Sequence, residues 1–182
     1  MTVAAVPPGS SPGIAQDRFR QAFRRHPAGV VVVTLDAGRG PAGFTATSLT
    51  SLSPAPPLVS FAIADTASSW PHVESAETAV VHFLGAEQEP LARRFATSGI
   101  DRFAKPTSWR RLPTGEPVLD GVAGRLRLGV ERRIPAGDHH IVVCRVLDSW
   151  LDADRDPLLY HDGAYHSLRT RTDISDAQPH VA

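Results

Sequence analysis

An apolar run near the N-terminal end is the feature that most constrains the fold of this chain. Residues 29–35 read GVVVVTL, and four consecutive β-branched valines favour a strand over a helix. Residues 43–52, 56–64, 78–84, 124–134 and 138–151 also have the composition of strands. Because the helical crossovers that parallel strands need are absent between most of these segments, we predict a mainly antiparallel sheet or barrel.

Only three short helices are expected beside these strands. The first covers residues 17–26, where Asp17 can cap the helix and Phe19, Ala22 and Phe23 fall on one face. The other two cover residues 68–75 and 87–97. The chain is therefore predicted to be mainly β, with a few short flanking helices.

Length and composition indicate one folded domain with loose ends. The chain has 182 residues, 42% of them hydrophobic, which is enough for one sizeable core and does not require two. Residues 1–16 are rich in Pro, Gly, Ser and Ala, and we expect a disordered leader there. Residues 169–182 have a similar character and are expected to form a flexible tail. The folded domain is therefore expected over residues 17–168.

Charge and cysteine content exclude several classes of protein. Lys+Arg and Asp+Glu are both 19, so the chain lacks the excess positive charge that attracts nucleic acid. No apolar run approaches the roughly 20 residues of a membrane span, and we expect a cytoplasmic protein. The single cysteine, Cys144, lies in the apolar segment HIVVCRV and is expected to be an unreactive core residue.

Two motifs in the sequence match well-known sites but lack the surrounding pattern that those sites need. Gly38, Gly40 and Gly43 spell G-x-G-x-x-G after a strand, yet FTATSLTS follows where a dinucleotide-binding fold needs a helix. We interpret these glycines as a hairpin turn between two strands. Ser11 lies in GSSPG, a G-x-S-x-G match, but no strand precedes it and no helix follows, so a hydrolase nucleophile is not expected.

Two adjacent histidines follow a turn in the segment GDHH. Neighbouring residues of a strand point to opposite faces, so His139 and His140 are not expected to bind one metal ion together. The other histidines lack helical ligand spacing, and no metal site is predicted. Taken alone, His139 has the ordinary explanation of a strand-end residue that interacts with Asp138.

Several segments together resemble the flavin reductase-like family, whose members have the FMN-binding split-barrel fold. In chain order they are FRQAFRRHPAGVVVVT, GFTATSLTSLSPAPPLVSFAI, SSWPHV, AVVHFLGAEQEPLARRFA, DRF, GDHHIVVCRV and DPLLYHDGAYHSL. The resemblance covers nearly the whole folded unit, and the combination of GFTATS before PPLVSF with GDH before PLLYHDGAY is specific. It implies a split β-barrel that binds a flavin.

The resemblance also implies which residues contact the flavin ring. A flavin needs a flat slot with donors and acceptors along its polar edge, and small residues and hydroxyls suit such a slot. The predicted strand residues are Thr45, Ala46, Thr47, Ser48, Ser60, Phe61 and Ala62. The strand with His82 and Phe83 is implied to line the flavin through backbone groups, although many family members have Asn at the position of His82.

The phosphate and tail of the flavin are implied to lie near a helix start. Ser68 and Ser69 precede a short helix, whose free backbone amides suit a phosphate, although ordinary helix capping explains these serines equally well. Arg94 and Phe95 resemble family positions near the flavin tail. Without the resemblance, they would be interpreted as an exposed charge and a core aromatic residue.

The nicotinamide donor is implied to bind beside His139, which we expect to position the donor during hydride transfer. Arg25, Tyr160 and Tyr165 are weaker candidates for the same site, and packing is the simpler explanation for the two tyrosines. The implied function is an NADH- or NADPH-dependent reductase of FMN or FAD. In this family the flavin commonly lies at a homodimer interface, and the reduced flavin passes to a separate oxygenase.

Two alternatives remain open from the sequence. One is a non-catalytic flavin- or haem-binding barrel. The other is an enzyme of the same fold that holds FMN tightly and acts on another substrate.

Overall fold

The computed structural model describes residues 13–151 and 155–168. The predicted leader, up to residue 12, and the predicted tail lie outside the described residues, as does Ser11. Three α-helices are present: α1 (Gln16–Arg24), α2 (Trp70–Ser75) and α3 (Glu89–Ala96). The strands are β1 (Ala28–Gly29), β2 (Val31–Asp36), β3 (Pro41–Ala46), β4 (Thr50–Pro54), β5 (Pro57–Ala64), β6 (Thr78–Phe83), β7 (Trp109–Arg111), β8 (Pro117–Leu119), β9 (Gly124–Ala136), β10 (His139–Leu151), β11 (Leu158–His161) and β12 (Ala164–Ser167).

A seven-stranded sheet forms the body of the protein, in the order β3-β2-β6-β9-β10-β5-β4. Every pairing in it is antiparallel, which confirms the mainly β class with a few short helices. Within the described residues, the two edge strands β3 and β4 do not pair, so hydrogen bonds do not close this sheet. A small sheet of β1, β11 and β12 and the hairpin of β7 and β8 complete the fold, and the sequence did not predict these short strands.

The valine run forms a strand that is buried on both faces. Val31, Val33 and Leu35 of β2 belong to one apolar cluster, which also includes Phe44 and Phe61. Val30, directly before β2, and Val32 contribute to a second cluster on the other face, with Leu84, Phe95, Phe103 and Leu119. Since alternate residues of a strand point to opposite faces, an unbroken run of valines lets β2 fill both clusters.

The glycine-rich segment is the β2–β3 hairpin turn that the sequence predicts. Gly38 and Gly40 adopt φ values of 78° and 95°, which glycine tolerates best. Asp36 Oδ1 accepts hydrogen bonds from both of their amides, at 2.9 and 3.2 Å. Gly43 has a different role, because a Cβ atom there would lie 2.8 Å from the Phe95 ring and from Val33 O. A strand follows Gly43, so the dinucleotide fingerprint is excluded.

The prediction of one strand over residues 43–52 is wrong. The chain turns at residues 47–49, between β3 at one edge of the sheet and β4 at the other. Ser48 fixes this turn, because its Oγ accepts a bond from Ala62 N (2.9 Å) and donates to Ala62 O (3.2 Å). Period-two patterning does not reveal such a break, since both halves have a strand-like composition.

Helix α1 forms as predicted, but Asp17 does not cap it. The helix begins at Gln16 after Ala15, without a side-chain capping bond, and Asp17 lies in the first turn instead. None of its residues is buried. Phe19 and Phe23 remain 52% and 59% exposed, and their ring centroids lie 4.6 Å apart.

Cys144 is a core residue, as predicted. It lies in β10 with no exposed surface, and burial raises the pKa of its thiol to about 12. A thiol with so high a pKa is not nucleophilic at neutral pH.

Candidate functional site

A cleft of about 390 Å³ opens where β3, β5, the loop before α2, α3 and the start of β10 meet. It gathers nine of the residues predicted from the sequence: Thr45, Ala46, Thr47, Ser48, Ala62, Ser68, Ser69, Phe95 and His139. Seven further residues that sequence reasoning had not singled out also line it: Phe44, Ile63, Ala64, Ala67, Ala96, Ser98 and Arg102. Most of these residues are small or apolar.

Small side chains form the wall of the cleft on the β5 side. Ala62 and Ala64 lie on the same face of β5, and Ala67 follows in the loop before α2. Across the cleft, Ala46 ends β3. Because these side chains are methyl groups, a planar ligand can approach the strands closely.

Ser68, Ser69 and Arg102 form a polar corner of this cleft. Arg102 Nη1 donates to Gly43 O (2.9 Å) and to Ser69 Oγ (3.2 Å), and Nη2 donates to Ser68 Oγ (3.3 Å). Ser69 Oγ donates in turn to Gly43 O at 3.1 Å. Ser69 is the N-cap residue of α2, but its hydroxyl makes no capping hydrogen bond and is engaged by Gly43 O and Arg102 instead.

Arg102 carries its charge without a carboxylate partner. Among the ion pairs formed by the described residues, none includes Arg102. Its side chain is half-buried, and the lost hydration lowers the pKa of the guanidinium below its ordinary value. A cation in this position, beside two hydroxyl groups, suits an anionic ligand.

Arg94 holds the loop that presents Arg102 and does not line the cleft. Its Nε donates to Arg102 O at 3.1 Å, and its Nη2 donates to Asp101 O (2.9 Å), Ala104 O (3.0 Å) and Lys105 O (3.4 Å). Arg94 was predicted to lie near the flavin tail. In the structure it instead supports the loop that carries Arg102. The segment DRF, which contains Arg102, is part of the family resemblance. The sequence did not predict a role for Arg102 itself.

His139 lies on the rim of the cleft, at the first position of β10. Its Nδ1 is 2.7 Å from Asp138 Oδ1, and this hydrogen bond lowers the pKa of the Asp138 carboxyl. Because an ionised carboxylate only accepts, Nδ1 carries the proton in this pair, which leaves Nε2 of a neutral ring as an acceptor. The interaction expected for a strand-end histidine is present, and it also orients the ring.

His140 lies on the opposite face of β10, as predicted from strand alternation. Its ring stacks on Trp70, with centroids 3.9 Å apart and an interplanar angle of 14°. His140 Nδ1 lies 2.7 Å from Asp65 Oδ1, although the angles there are not those of a hydrogen bond. The loop between β5 and α2 is thereby connected to the strand that carries His139.

Eight predicted site residues do not line the cleft. Ser60 and Phe61 are buried in β5, and Phe83 packs against the first apolar cluster. Arg25 follows α1 and lies on the surface. Tyr160 belongs to a different cavity and stacks edge-on with Tyr165, at 5.2 Å between centroids. The remaining two are His82 and Arg94, of which Arg94 is described above.

His82 is an interior residue of the sheet. Its Nδ1 lies 3.1 Å from Val32 O, and its Nε2 accepts a hydrogen bond from Leu119 N at 3.1 Å. Burial lowers its pKa to about 4, which keeps the ring neutral at pH 7. His82 therefore joins β2 to β8 and has no direct contact with the cleft.

A second cavity, of about 830 Å³, lies beside the first. It is bordered by α1 and by the β11–β12 hairpin, and it shares Thr47 and Ser48 with the cleft. Phe19, Phe23 and Tyr160 line it, together with Arg20 and Arg24. Arg24 Nε is paired with Asp162 at 3.2 Å.

Within the described residues, no group of His, Cys, Asp and Glu side chains is arranged to hold a metal ion. No helix in that part of the chain is both long and apolar enough to cross a membrane.

The cleft suits a planar cofactor that ends in a phosphate. Its methyl-lined wall allows close approach, its Arg102 corner offers a guanidinium without a counter-ion, and His139 offers an acceptor at the rim. An antiparallel sheet with such a cleft defines a nucleotide-cofactor protein outside the dinucleotide-binding fold. The chain belongs to the flavin reductase-like family, since the model of the flavin reductase like domain matches residues 23–169.

Known proteins extend this likeness over most of the chain. An NADH:FMN oxidoreductase from Rhodococcus qingshengii is 50% identical over 166 residues, which are 89% of this chain and 86% of the relative. The NADH:FAD oxidoreductase SgcE6 of Streptomyces globisporus, solved with NAD and FAD fragments, is 30% identical with a TM-score of 0.81. The match covers 94% of this chain and all of that one. BorF, the flavin reductase component of a bacterial two-component tryptophan halogenase, is 31% identical with a TM-score of 0.78, over 86% of this chain and all of BorF.

Proposed function

We propose that this protein is an NADH-dependent flavin reductase that reduces FMN or FAD and releases the reduced flavin to a separate oxygenase. One observation carries this proposal: His139 and the corner of Ser68, Ser69 and Arg102 line a single cleft with a methyl-lined wall. The named relatives, which include an NADH:FMN oxidoreductase and a two-component flavin reductase, support the same activity.

The residues of the cleft bind and align the two reactants. Flavin, when bound, supplies the ring that accepts hydride from the nicotinamide. The corner of Ser68, Ser69 and Arg102 would hold the flavin phosphate, and the backbone at Ala46 and Ala62 would lie against the ring. His139 Nε2 would accept a hydrogen bond from the carboxamide of the donor, while Asp138 holds the imidazole in place. Alignment at contact distance is the main contribution, because hydride transfer depends steeply on geometry.

The composition of the cleft suits a flavin that exchanges. Most of its polar groups are neutral hydroxyls and backbone amides, and Arg102 is its one guanidinium among the described lining residues. Such a site binds with modest affinity and lets the reduced flavin leave. Release is what a separate oxygenase requires.

Steady-state NADH oxidation tests this function directly. The purified protein is mixed with NADH or NADPH and with FMN, FAD or riboflavin, and absorbance at the nicotinamide band is followed. We expect turnover that depends on added flavin and is faster with NADH. The absence of turnover above background with every flavin and both donors would contradict the proposal.

Dialysis separates this function from the two alternatives. An exchanging reductase loses its yellow colour on dialysis and regains activity when flavin is added. A binding module stays coloured and does not oxidise NADH. An enzyme with tightly held FMN stays coloured and oxidises NADH without added flavin.

We also propose a cytoplasmic split-barrel homodimer. The exposed rings of Phe19 and Phe23 form an apolar face of the kind that protein interfaces cover. The neighbouring cavity shares Thr47 and Ser48 with the flavin cleft, so a second copy seated on α1 adds a wall beside the flavin.

Sedimentation velocity tests the dimer. We expect the wild type to sediment as a dimer at micromolar concentration and the variant Phe23→Glu to sediment as a monomer with weaker flavin binding. Glu74→Gln, a substitution on the surface of α2, is the control and should leave the dimer intact. A monomeric wild type would contradict the proposal.

A further inference from the structure

Two cavities meet at Arg102. On the far side of this side chain from the cleft lies a pocket of about 200 Å³. The two cavities share three lining residues, Ser68, Ser69 and Arg102. On its far side the pocket is lined by His72, Ile100 and Asp101, among others.

The Arg102 guanidinium spans the boundary between these cavities. Its Nε donates to Thr97 O at 3.0 Å, just beyond α3, and its Nη1 reaches Gly43 O on β3. Hydrogen bonds to Ser68 and Ser69 attach the same group to the loop before α2. Three elements are thus joined by one planar side chain, which a flexible lysine could not do.

The backbone behind Arg102 is also fixed. Thr107 Oγ1 donates to Arg102 O at 2.7 Å, and Arg94 binds the same carbonyl. Asp101 Oδ1 accepts hydrogen bonds from Phe103 N and Ala104 N. A ligand would therefore have to break several hydrogen bonds to displace this boundary.

Charge differs on the two sides of Arg102. On the cleft side, the guanidinium faces the hydroxyls of Ser68 and Ser69. The far pocket contains the Asp101 carboxylate, which repels a second phosphate. The cleft side offers one guanidinium to a terminal phosphate, and the described lining of the far pocket adds no further Arg or Lys for the second phosphate of a pyrophosphate.

We propose that Arg102 determines which flavin is reduced, by ending the cleft at a single phosphate and so selecting FMN over both FAD and riboflavin. This inference rests on the proposed reductase function. FMN places its phosphate on Arg102 and the two serines, riboflavin leaves the guanidinium unpaired, and FAD requires Arg102 to move.

Kinetics with three flavins and three variants test the proposal. For the wild type, we expect a KM for FMN that is about tenfold lower than that for riboflavin or FAD, as one charge-assisted contact predicts. Arg102→Ala should raise the KM for FMN to that for riboflavin and should lower the KM for FAD relative to FMN. Arg102→Lys should restore part of the preference for FMN over riboflavin, because the charge returns.

Arg39→Ala is the matched control, since it removes the same charge from the exposed β2–β3 turn. Its KM values should equal those of the wild type. If the wild type uses FAD as well as FMN, or if Arg102→Ala weakens FMN and riboflavin equally, the specificity proposal is wrong although the reductase function stands. If no flavin supports NADH oxidation, the function itself fails.

Discussion

Two histidines that the sequence places in one site have opposite surroundings. His82 lies inside the sheet with no exposed surface, and both ring nitrogens are used between Val32 and Leu119. His139 is on the rim of the cleft, about half exposed, with only Nδ1 used, by Asp138. A residue whose hydrogen-bonding groups are all satisfied inside the fold contributes to stability, whereas one with a free acceptor at a cleft can contact a ligand. The difference predicts that substitution of His82 lowers stability and leaves the activity of the folded protein unchanged. Substitution of His139 should lower activity and leave stability nearly unchanged.

The largest effect is expected at His82. His82→Ala leaves Leu119 N without its hydrogen-bond acceptor and opens a cavity, and together these cost about 4 kcal/mol of unfolding free energy. Urea unfolding followed by circular dichroism measures the loss. The folded fraction should retain the wild-type KM for NADH, because His82 does not touch the cleft. A stable variant with an altered KM would contradict our placement of His82.

Acid pH should weaken the same region without a mutation. The pKa of His82 falls from the ordinary 6.5 to about 4 in the fold, so below pH 6.5 the unfolded chain binds a proton that the folded chain does not. The contribution of neutral His82 to the free energy of unfolding is fully present above pH 6.5. It is lost as the pH falls toward 4, and the total loss is roughly 3 kcal/mol.

Urea midpoints at pH 7.5 and pH 4.5 measure this loss. His82→Gln, which does not titrate, is the comparison, and its midpoint should change less between the two pH values. Equal changes in the two proteins would show that other groups cause the acid sensitivity.

At the cleft rim the expected effect is on catalysis. His139→Ala should lower kcat/KM for NADH by about 100-fold, equivalent to about 2.7 kcal/mol, because the donor loses its positioning contact. The unfolding free energy should change by less than about 0.5 kcal/mol, as for other exposed positions.

His166→Ala, an exposed histidine on β12, is the control and should keep wild-type activity. Asp138→Asn should have a smaller effect than His139→Ala, since the ring remains but is less firmly oriented. Loss of stability in His139→Ala without loss of rate would reverse the assignment of the two histidines.

The sequence predicted the parts of the fold that depend on local pattern. The valine run, the glycine turn and the face of α1 each follow from side-chain shape or periodicity, and each is present. The break after Ala46 and the interior position of His82 depend on partners distant in the chain, Ala62 and Leu119. No local pattern contains that information.

The same limit applies to the candidate site. Small residues and hydroxyls in GFTATS and SSW indicated the cleft, and these residues do line it. Arg102 was missed because its partners are Gly43, Ser68, Ser69 and Thr97, which come from three separate segments. Its role arises from the tertiary structure.

The smallest effect is expected at Trp70, which stacks on His140, the residue next to His139. The Trp70–His140 stack fixes the distance from β10, which carries His139, to the loop that carries Ser68 and Ser69. Trp70→Leu keeps an apolar side chain but removes the stack, so the serines move relative to the rim. We expect the KM for flavin to rise about fivefold, near 1 kcal/mol, with kcat at saturating flavin unchanged.

Trp70→Phe restores an aromatic ring and should recover most of the affinity, which a general loss of stability would not explain. If both variants have the wild-type KM and differ only in melting temperature, the stack contributes to stability alone, and the flavin phosphate corner is positioned by Arg102 without help from β10.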